Sequence, residues 1–275
     1  MTRYTGLRNI KISKLAAIAA IALAGCSSSV NGETTGNAPT ESQSGTLNLI
    51  ANGEDFVREG MVTKDGWQLD FRDVLVNVAD VTAYQTATGF EPERDSLEPD
   101  TTVELVETAT VVDLTEENTL ATTEVPAGFY NALSWSMVEQ DTADFASQTI
   151  VLDGTAQKDG QKIDFQLGFA VPVSYICGEY VGDSRKGMVK GEPAEVEMTF
   201  HFDHLFGDGT QPATEEINQK ALGFEPIATL ATAEKVTADW DTLQSQLTPA
   251  QQKQLDKAVL GLAHVGEGHC KAQLK

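Results

Sequence analysis

"QTIVLDGTAQKDGQKIDFQLGFAVPVSYIC", residues 148–177, decides the fold because it reads as two long strands joined by a tight turn. Asp159-Gly160, between the two strands, is a strong signal for a two-residue hairpin turn, in which both positions take positive φ angles. After the turn, every second residue from Ile163 to Cys177 is apolar, which places one face of the strand in a core. Pro172 cannot donate to a strand ladder, so it predicts an edge or a bend.

Strand patterns continue on both sides of this hairpin. Residues 66–84 alternate until Arg72–Asp73, where the apolar phase changes, and this change predicts a β-bulge or a turn. "EVEMTFHFDHLF", residues 195–206, alternates as well. Because successive side chains of a strand point to opposite faces, this segment places His201 and Asp203 on the solvent side of the sheet.

The last part of the chain changes from strand patterns to helix patterns. Residues 214–235 and 236–265 read as helices, and "TPAQ", Thr248 to Gln251, is a capping box with proline at the first helical position. Gly266 is a natural helix stop. We therefore expect His264 in the last turn of the second helix.

Together these patterns predict a mainly β protein, an antiparallel β-sandwich with C-terminal helices packed on it. The sandwich is assigned to residues 45–210. Residues 211–275 are assigned to a helical extension that carries the second of two histidine clusters. The chain is 41% hydrophobic, which is enough apolar material for a sizeable core.

The N-terminus carries a targeting signal. A basic stretch precedes ten apolar residues, "LAAIAAIALA", 15–24, too short to span a bilayer, and these run into "LAGC", Leu23 to Cys26. This motif resembles the lipobox of bacterial lipoproteins. The resemblance implies a signal peptide over residues 1–25 and a lipid, such as palmitate, on Cys26. The alternative is an ordinary secretory signal with an incidental cysteine.

The resemblance also implies a place in the cell. Ser27 follows the lipidated cysteine where an aspartate often retains lipoproteins at the inner membrane, so we expect the outer membrane, with the protein facing the periplasm. Residues 26–44 are rich in Ser, Thr, Gly and Asn and read as a flexible tether. The lipid anchor would then hold the folded part at the membrane of the cell envelope.

The charge of the chain excludes some partners. The net charge is −22, from 19 basic and 41 acidic residues. The leader has four basic and no acidic residues, so its removal leaves 19 − 4 = 15 basic residues and a net charge of 15 − 41 = −26. Such a chain repels nucleic acid and anionic membrane surfaces. We therefore expect no nucleic-acid partner.

Two cysteines remain once Cys26 takes its lipid. In an oxidising compartment, Cys177 and Cys270 are predicted to form a disulfide. That bond would fix the C-terminal tail against the sandwich. In the alternative interpretation, Cys270 is a thiolate metal ligand and Cys177 is a buried free thiol.

All four histidines lie in two short stretches, "HFDHLFGD", 201–208, and "AHVGEGHC", 263–270. Two short clusters far apart in sequence are a usual way for a fold to build a four-ligand metal site. The candidate ligands are His201, His204, His264 and His269, with Asp203 and Glu267 as candidate further ligands or as residues that orient the imidazoles. The alternative is a polar cluster that braces the junction between helices and sandwich without a metal.

The donor set points to a transition metal. Nitrogen-rich ligands suit zinc best and copper next, and leave nickel and cobalt open. Calcium would need more carboxylates at loop spacing than these stretches contain. The chain lacks the short signatures of common catalytic sites, so we expect a protein that is not an enzyme.

A second resemblance concerns "VPAGFYNALSWSM", residues 125–137. Its Pro-Ala-Gly-x-Tyr start is similar to a strand start in bacterial β-sandwich lipoproteins, including periplasmic copper-binding proteins encoded near methanobactin genes. This resemblance implies a sandwich and a copper-binding role. Trp67 and Trp135 fall in phase with apolar strand faces, which disfavours a carbohydrate-binding module with exposed aromatic rings.

The predicted function is that of a periplasm-facing lipoprotein that binds zinc or copper for capture, buffering or delivery to an envelope transporter or receptor. The alternative is a structural or interaction lipoprotein of the cell envelope. The two differ in whether the histidine clusters meet.

Overall fold

The computed structural model describes residues 44–141 and 146–275. The predicted signal peptide, the predicted lipidation site Cys26 and residues 27–43 of the predicted tether lie outside the described residues. The strands in chain order are β1 (Ser44–Asn52), β2 (Met61–Val62), β3 (Gln68–Gln85), β4 (Thr101–Val106), β5 (Thr110–Asp113), β6 (Asn118–Pro126), β7 (Gly128–Phe129), β8 (Ala132–Met137), β9 (Ile150–Lys158), β10 (Gln161–Phe169), β11 (Val173–Cys177), β12 (Met188–Val189), β13 (Ala194–Phe200), β14 (Lys235–Ala238), β15 (Ala263–Val265), β16 (Gly268–His269) and β17 (Lys271–Leu274). The helices are α1 (Glu54–Arg58), α2 (Asp203–Phe206), α3 (Glu216–Lys220), α4 (Glu225–Ala228), α5 (Trp240–Gln246) and α6 (Pro249–Leu260).

The fold is mainly β, as predicted, and its strands form two mixed sheets and a small two-stranded sheet of β7 and β12. The smaller sheet has the order β16-β15-β13-β1-β6, and the larger follows the path β14-β10-β9-β3-β8-β11-β17, with β2, β4 and β5 also paired to β3. Most pairs are antiparallel, but β1 pairs with β13 and β14 pairs with β10 in parallel. Apolar side chains of both sheets share one core, in which Trp135 of β8 lies 6.2 Å from Phe200 of β13, measured between ring centroids.

The β9–β10 hairpin confirms the prediction made for residues 148–177. Lys158 pairs with Gln161 across the turn, and the two turn residues, Asp159 and Gly160, have φ angles of 51° and 83°. The residues in the apolar phase from Ile163 to Cys177 are all buried. The strand is interrupted next to Pro172, as predicted, so β10 and β11 are separate strands of the same sheet.

The phase change at Arg72–Asp73 is a β-bulge, as predicted. The register of β3 against β9 shifts between Phe71 and Asp73, so the intervening residue has no partner in the ladder. Because one extra residue reverses the two faces, the apolar residues before and after the bulge both reach the core. Leu69 and Val74 are both fully buried.

The C-terminal region is less helical than predicted. Residues 214–235 contain only the short helices α3 and α4, and β14 precedes α5. The capping box is confirmed at the start of α6, where the Thr248 hydroxyl accepts from the Gln251 amide and the Gln251 side chain accepts from the Thr248 amide. This helix packs on the sandwich, because Leu255 and Val259 are buried in the core.

The predicted end of α6 is wrong. The helix ends at Leu260, and His264 lies in strand β15 instead of in a last helical turn. The physical reason is the free edge of β13: Ala263 pairs with Phe200 and His264 pairs with Thr199. Residues 263–265 pair with that edge instead of extending the helix, so the second histidine cluster is part of the smaller sheet.

Cys177 and Cys270 form the predicted disulfide across 93 residues. It joins the end of β11 to the residue between β16 and β17. A bond of this kind is typical of proteins in an oxidising compartment outside the cytoplasm. Within residues 44–141 and 146–275, no helix combines the length and apolar character needed to cross a membrane.

Candidate metal centre

Two regions of the chain, the β13–α2 segment and the β15–β16 hairpin, bring the histidines together. His201 follows the last residue of β13 and His204 lies in α2, while His264 and His269 face each other across the β15–β16 hairpin. The hairpin adds to the edge of β13 through the pairing of Thr199 with His264. The turn at Gly266, with a φ of 58°, is fixed by a hydrogen bond of 2.9 Å from its amide to the Thr199 hydroxyl. The two sequence clusters therefore meet.

The four rings form one continuous group. The rings of His201 and His264 stack with centroids 4.0 Å apart and planes inclined by 20°. The other ring centroids lie 4.4 Å apart for His264 and His269, 4.8 Å for His204 and His264, 5.7 Å for His204 and His269, and 5.9 Å for His201 and His204. Such spacing brings several imidazole nitrogens within reach of one ion.

The exposed fraction of the four histidine side chains increases from the interior to the surface. His264 and His201 are 2% and 5% exposed, His204 is partly buried, and His269 is exposed. The prediction that His201 leaves the sheet on its solvent side is wrong. The β15–β16 hairpin covers that side chain, because the ring of His264 stacks on the His201 ring and the Gly266 carbonyl oxygen lies 3.1 Å from His201 Nε2.

Hydrogen bonds set the tautomers of the two buried rings. His201 Nε2 lies 3.1 Å from the Gly266 carbonyl oxygen, and His264 Nε2 lies 3.2 Å from the Gly261 carbonyl oxygen. A carbonyl oxygen only accepts, so each Nε2 is assigned as the N–H donor and each Nδ1 keeps its lone pair. A backbone carbonyl on the far nitrogen is also the usual way in which a metal-binding histidine is oriented.

His264 Nδ1 is the ring nitrogen best suited to bind a metal. It is buried and has no hydrogen-bond partner among the described residues. A buried acceptor without a partner costs about 1–3 kcal/mol. A metal ion on this nitrogen would remove that cost.

The rings are kept neutral by their surroundings. Burial, and then the charges of the neighbouring histidines, together lower the pKa of His264 to about 3. Burial, followed by His201, His269 and then Lys220, lowers the pKa of His204 to about 4. A neutral imidazole is the form that binds a metal, so both rings are ready to act as ligands near neutral pH.

Three of the rings satisfy the spacing of a metal site. One ring nitrogen each of His201, His204 and His264 lies within 4.8 Å of the others. Tetrahedral zinc with bonds of about 2.0–2.1 Å requires nitrogens about 3.3 Å apart. The group must therefore contract on binding. One of the two stacked rings must also turn, because a metal lies in the plane of each imidazole that binds it.

Carboxylates surround His201. Glu54 Oε1 lies 3.6 Å from His201 Nε2, and Asp203 Oδ1 lies 3.9 Å from His201 Nδ1. Asp203 Oδ1 is buried without a hydrogen-bond partner in the described part of the chain. Burial raises the pKa of both carboxyl groups. Glu54, His201 and the exposed Glu267 form a second group with the spacing of a metal site.

Glu54 was not predicted from the sequence. It begins α1 with a φ of 61°, and its amide donates to the Asn52 side chain at 2.8 Å. It lies 147 positions before His201 in the chain and has no spacing motif with the histidines. Only the parallel pairing of β1 with β13 brings α1 beside the site.

A cleft of about 460 Å³ opens onto the exposed side of the histidines. It lies between α3 and α6, and His204 and His269 form part of its wall. The site is therefore connected to solvent through these two residues, while His201 and His264 lie behind them.

No family model, curated protein or solved structure matches this chain. The chemistry of the histidine group is thus the basis on which a function is assigned.

Proposed function

We propose that this protein is a cell-envelope lipoprotein that binds a transition metal, zinc first and copper next, through its two histidine clusters. The lipid on Cys26 holds it at the outer membrane, facing the periplasm. Its task is to capture or buffer the metal, or to deliver it to an envelope transporter or receptor, without catalysing a reaction.

One observation carries this proposal: the four histidines of the chain converge, and the buried Nδ1 of His264 has no hydrogen-bond partner within the described residues. His201, His204 and His264 are the proposed principal ligands. His269 is the proposed fourth ligand, because its ring lies 4.4 Å from that of His264 on the cleft side. Asp203 and Glu267 are the proposed further ligands or orienting groups.

The choice of metal follows from the donors. Three or four imidazoles with one carboxylate nearby suit zinc, and the same nitrogens bind copper. The disulfide holds both remaining cysteines, so no thiolate is left for the site. This favours the borderline ions over those that prefer sulfur.

The arrangement also fits exchange of a bound metal ion with the solvent. His269 is exposed and His204 is partly buried, so an ion reaching the cleft meets these two rings before the buried pair. A closed structural site would lack such a path. Capture or delivery is therefore better supported than a purely structural metal.

The second candidate is a structural or interaction lipoprotein in which the histidines only brace the hairpin. The observation that favours it is that His201 and His264 stack on each other and donate to backbone carbonyls. In that case the rings connect β13, α6 and the β15–β16 hairpin.

Metal content distinguishes the two candidates. The full chain, purified in a non-ionic detergent without an affinity tag, is supplied with zinc or copper at micromolar concentration and measured by elemental mass spectrometry. We expect about one equivalent in the parent and a loss of at least 100-fold in affinity for His264→Ala. Trp240→Phe, outside the histidine group, serves as the control and keeps full metal content. A parent that takes up neither metal would leave the bracing role.

A further inference from the structure

The cleft beside the histidines is larger than an ion requires. Its volume of about 460 Å³ compares with about 30 Å³ for a water molecule and falls in the range of small-molecule pockets. Its walls come from α2, α3, α6 and β16, all in the described part of the chain. It thus has room for a small organic molecule in contact with His204 and His269.

The charge of the cleft differs from that of the chain. Lys220 and Lys257 line it with a single carboxylate, Glu216, whereas the whole sequence has more than twice as many acidic as basic residues. Glu216 is already paired with Lys220 at 2.5 Å. A route for bare cations would be lined by carboxylates. Two ammonium groups and one carboxylate instead leave a net positive charge at this opening, which repels a free cation and attracts an anion.

These charges reach the histidines. Lys220 lines the same cleft as the ring of His204, so its positive charge lies on the open side of the histidine group. The cleft also contains apolar surface, from Ile217 and Ala258. Short carbon chains with anionic ends match this combination better than an inorganic anion does.

We infer that the cleft binds a small dicarboxylate or tricarboxylate while the site holds its metal. One carboxylate oxygen binds the metal as a fifth ligand on the side of His204 and His269, and a second carboxylate contacts Lys220 or Lys257. This inference rests on the proposed function. It means that the metal enters and leaves as a carboxylate complex and that the ligand's charge offsets that of the ion at the lysine-lined opening.

Cobalt provides a probe, because the visible spectrum of Co²⁺ reports its ligands. The full chain in detergent is loaded with one equivalent of Co²⁺ and titrated with malonate, acetate or the neutral analogue malonamide. We expect malonate to shift the Co²⁺ bands and to bind at least tenfold more tightly than acetate, while malonamide has no effect. Equilibrium dialysis verifies that the metal stays on the protein.

Variants separate the lysines from the metal ligands. Lys220→Gln combined with Lys257→Gln is expected to weaken malonate binding at least tenfold and to change Co²⁺ affinity less than threefold. Lys162→Gln, an exposed position on β10, is the matched control and leaves both unchanged. If Co²⁺ binds but malonate leaves the spectrum unchanged, or if the double lysine variant binds malonate like the parent, the carboxylate inference is overturned and the metal proposal stands. If neither Co²⁺ nor Zn²⁺ binds, both fail.

Discussion

Two hairpins of this molecule, β9–β10 and β15–β16, have the same topology but are stabilised in different ways. The first has nine-residue strands and a turn at Gly160, where an added Cβ would meet nothing within 4 Å. The second has strands of three and two residues and a turn at Gly266, where an added Cβ would lie 2.1 Å from the Val181 carbonyl oxygen. One hairpin is defined by its own sequence, and the other by its surroundings.

This difference shows which hairpin carries the candidate site. The long hairpin contributes apolar side chains to the core, and its turn is free in solvent. The short hairpin carries His264 and His269, and its position depends on β13, on the Val181 segment and on the disulfide at Cys270. Residues far apart in sequence thus hold the histidines in place.

Removal of the disulfide should have the largest effect on the short hairpin. By the chain-entropy model, a closed loop of this length contributes about 4–5 kcal/mol to the free energy of unfolding. Cys177→Ala with Cys270→Ala is expected to lose most of this in urea unfolding. We also expect about tenfold weaker zinc binding, because His269 is adjacent to Cys270. A loss below 1 kcal/mol would show that the tail is held without the bond.

The two turn glycines give a matched comparison. Gly266→Ala should cost about 3 kcal/mol, because the left-handed φ and the contact with the Val181 carbonyl add together. Gly160→Ala meets only the φ cost, about 1 kcal/mol, and should leave zinc affinity unchanged. Thermal unfolding and zinc competition measure both. Equal losses of unfolding free energy in the two variants would contradict the contrast between the hairpins.

A smaller effect is expected from pH on the metal-free protein. The pKa of His264 is about 3 in the folded state, well below its usual 6.5, so the unfolded chain binds more protons below pH 6.5. The contribution of His264 to the free energy of unfolding is present in full above that pH and falls by roughly 2 kcal/mol between pH 7 and pH 5. His204, with a pKa of about 4, adds a loss in the same direction. Urea unfolding with a chelator present measures this slope. His264→Gln should flatten it, and an unchanged slope would contradict the assignment.

Much of the fold could be predicted because its signals are local. The Asp159-Gly160 turn and the bulge at Arg72–Asp73 follow from residues that are neighbours in the chain. The pairing of Cys177 with Cys270 followed from counting, since one cysteine was assigned to the lipid. The convergence of the histidines was likewise expected from their concentration in two stretches.

The remainder depends on contacts that sequence patterns do not contain. His201 was expected in solvent because its strand alternates, but the β15–β16 hairpin covers its ring. His264 was expected in a helix because the helical pattern continues past Leu260, but the free edge of β13 competes for those residues. Glu54 had no signal at all, since only the parallel pairing of β1 with β13 brings it to His201.

X-ray absorption at the zinc edge tests the central claim most directly. The full chain in detergent, loaded with one equivalent of zinc, should show a shell of nitrogen and oxygen atoms at about 2.0–2.1 Å, with the outer-shell scattering of three or more imidazoles. That result would place the ion among the four histidines of the chain. A shell of six oxygens without imidazole scattering would contradict the account and leave the histidines as a brace for the short hairpin.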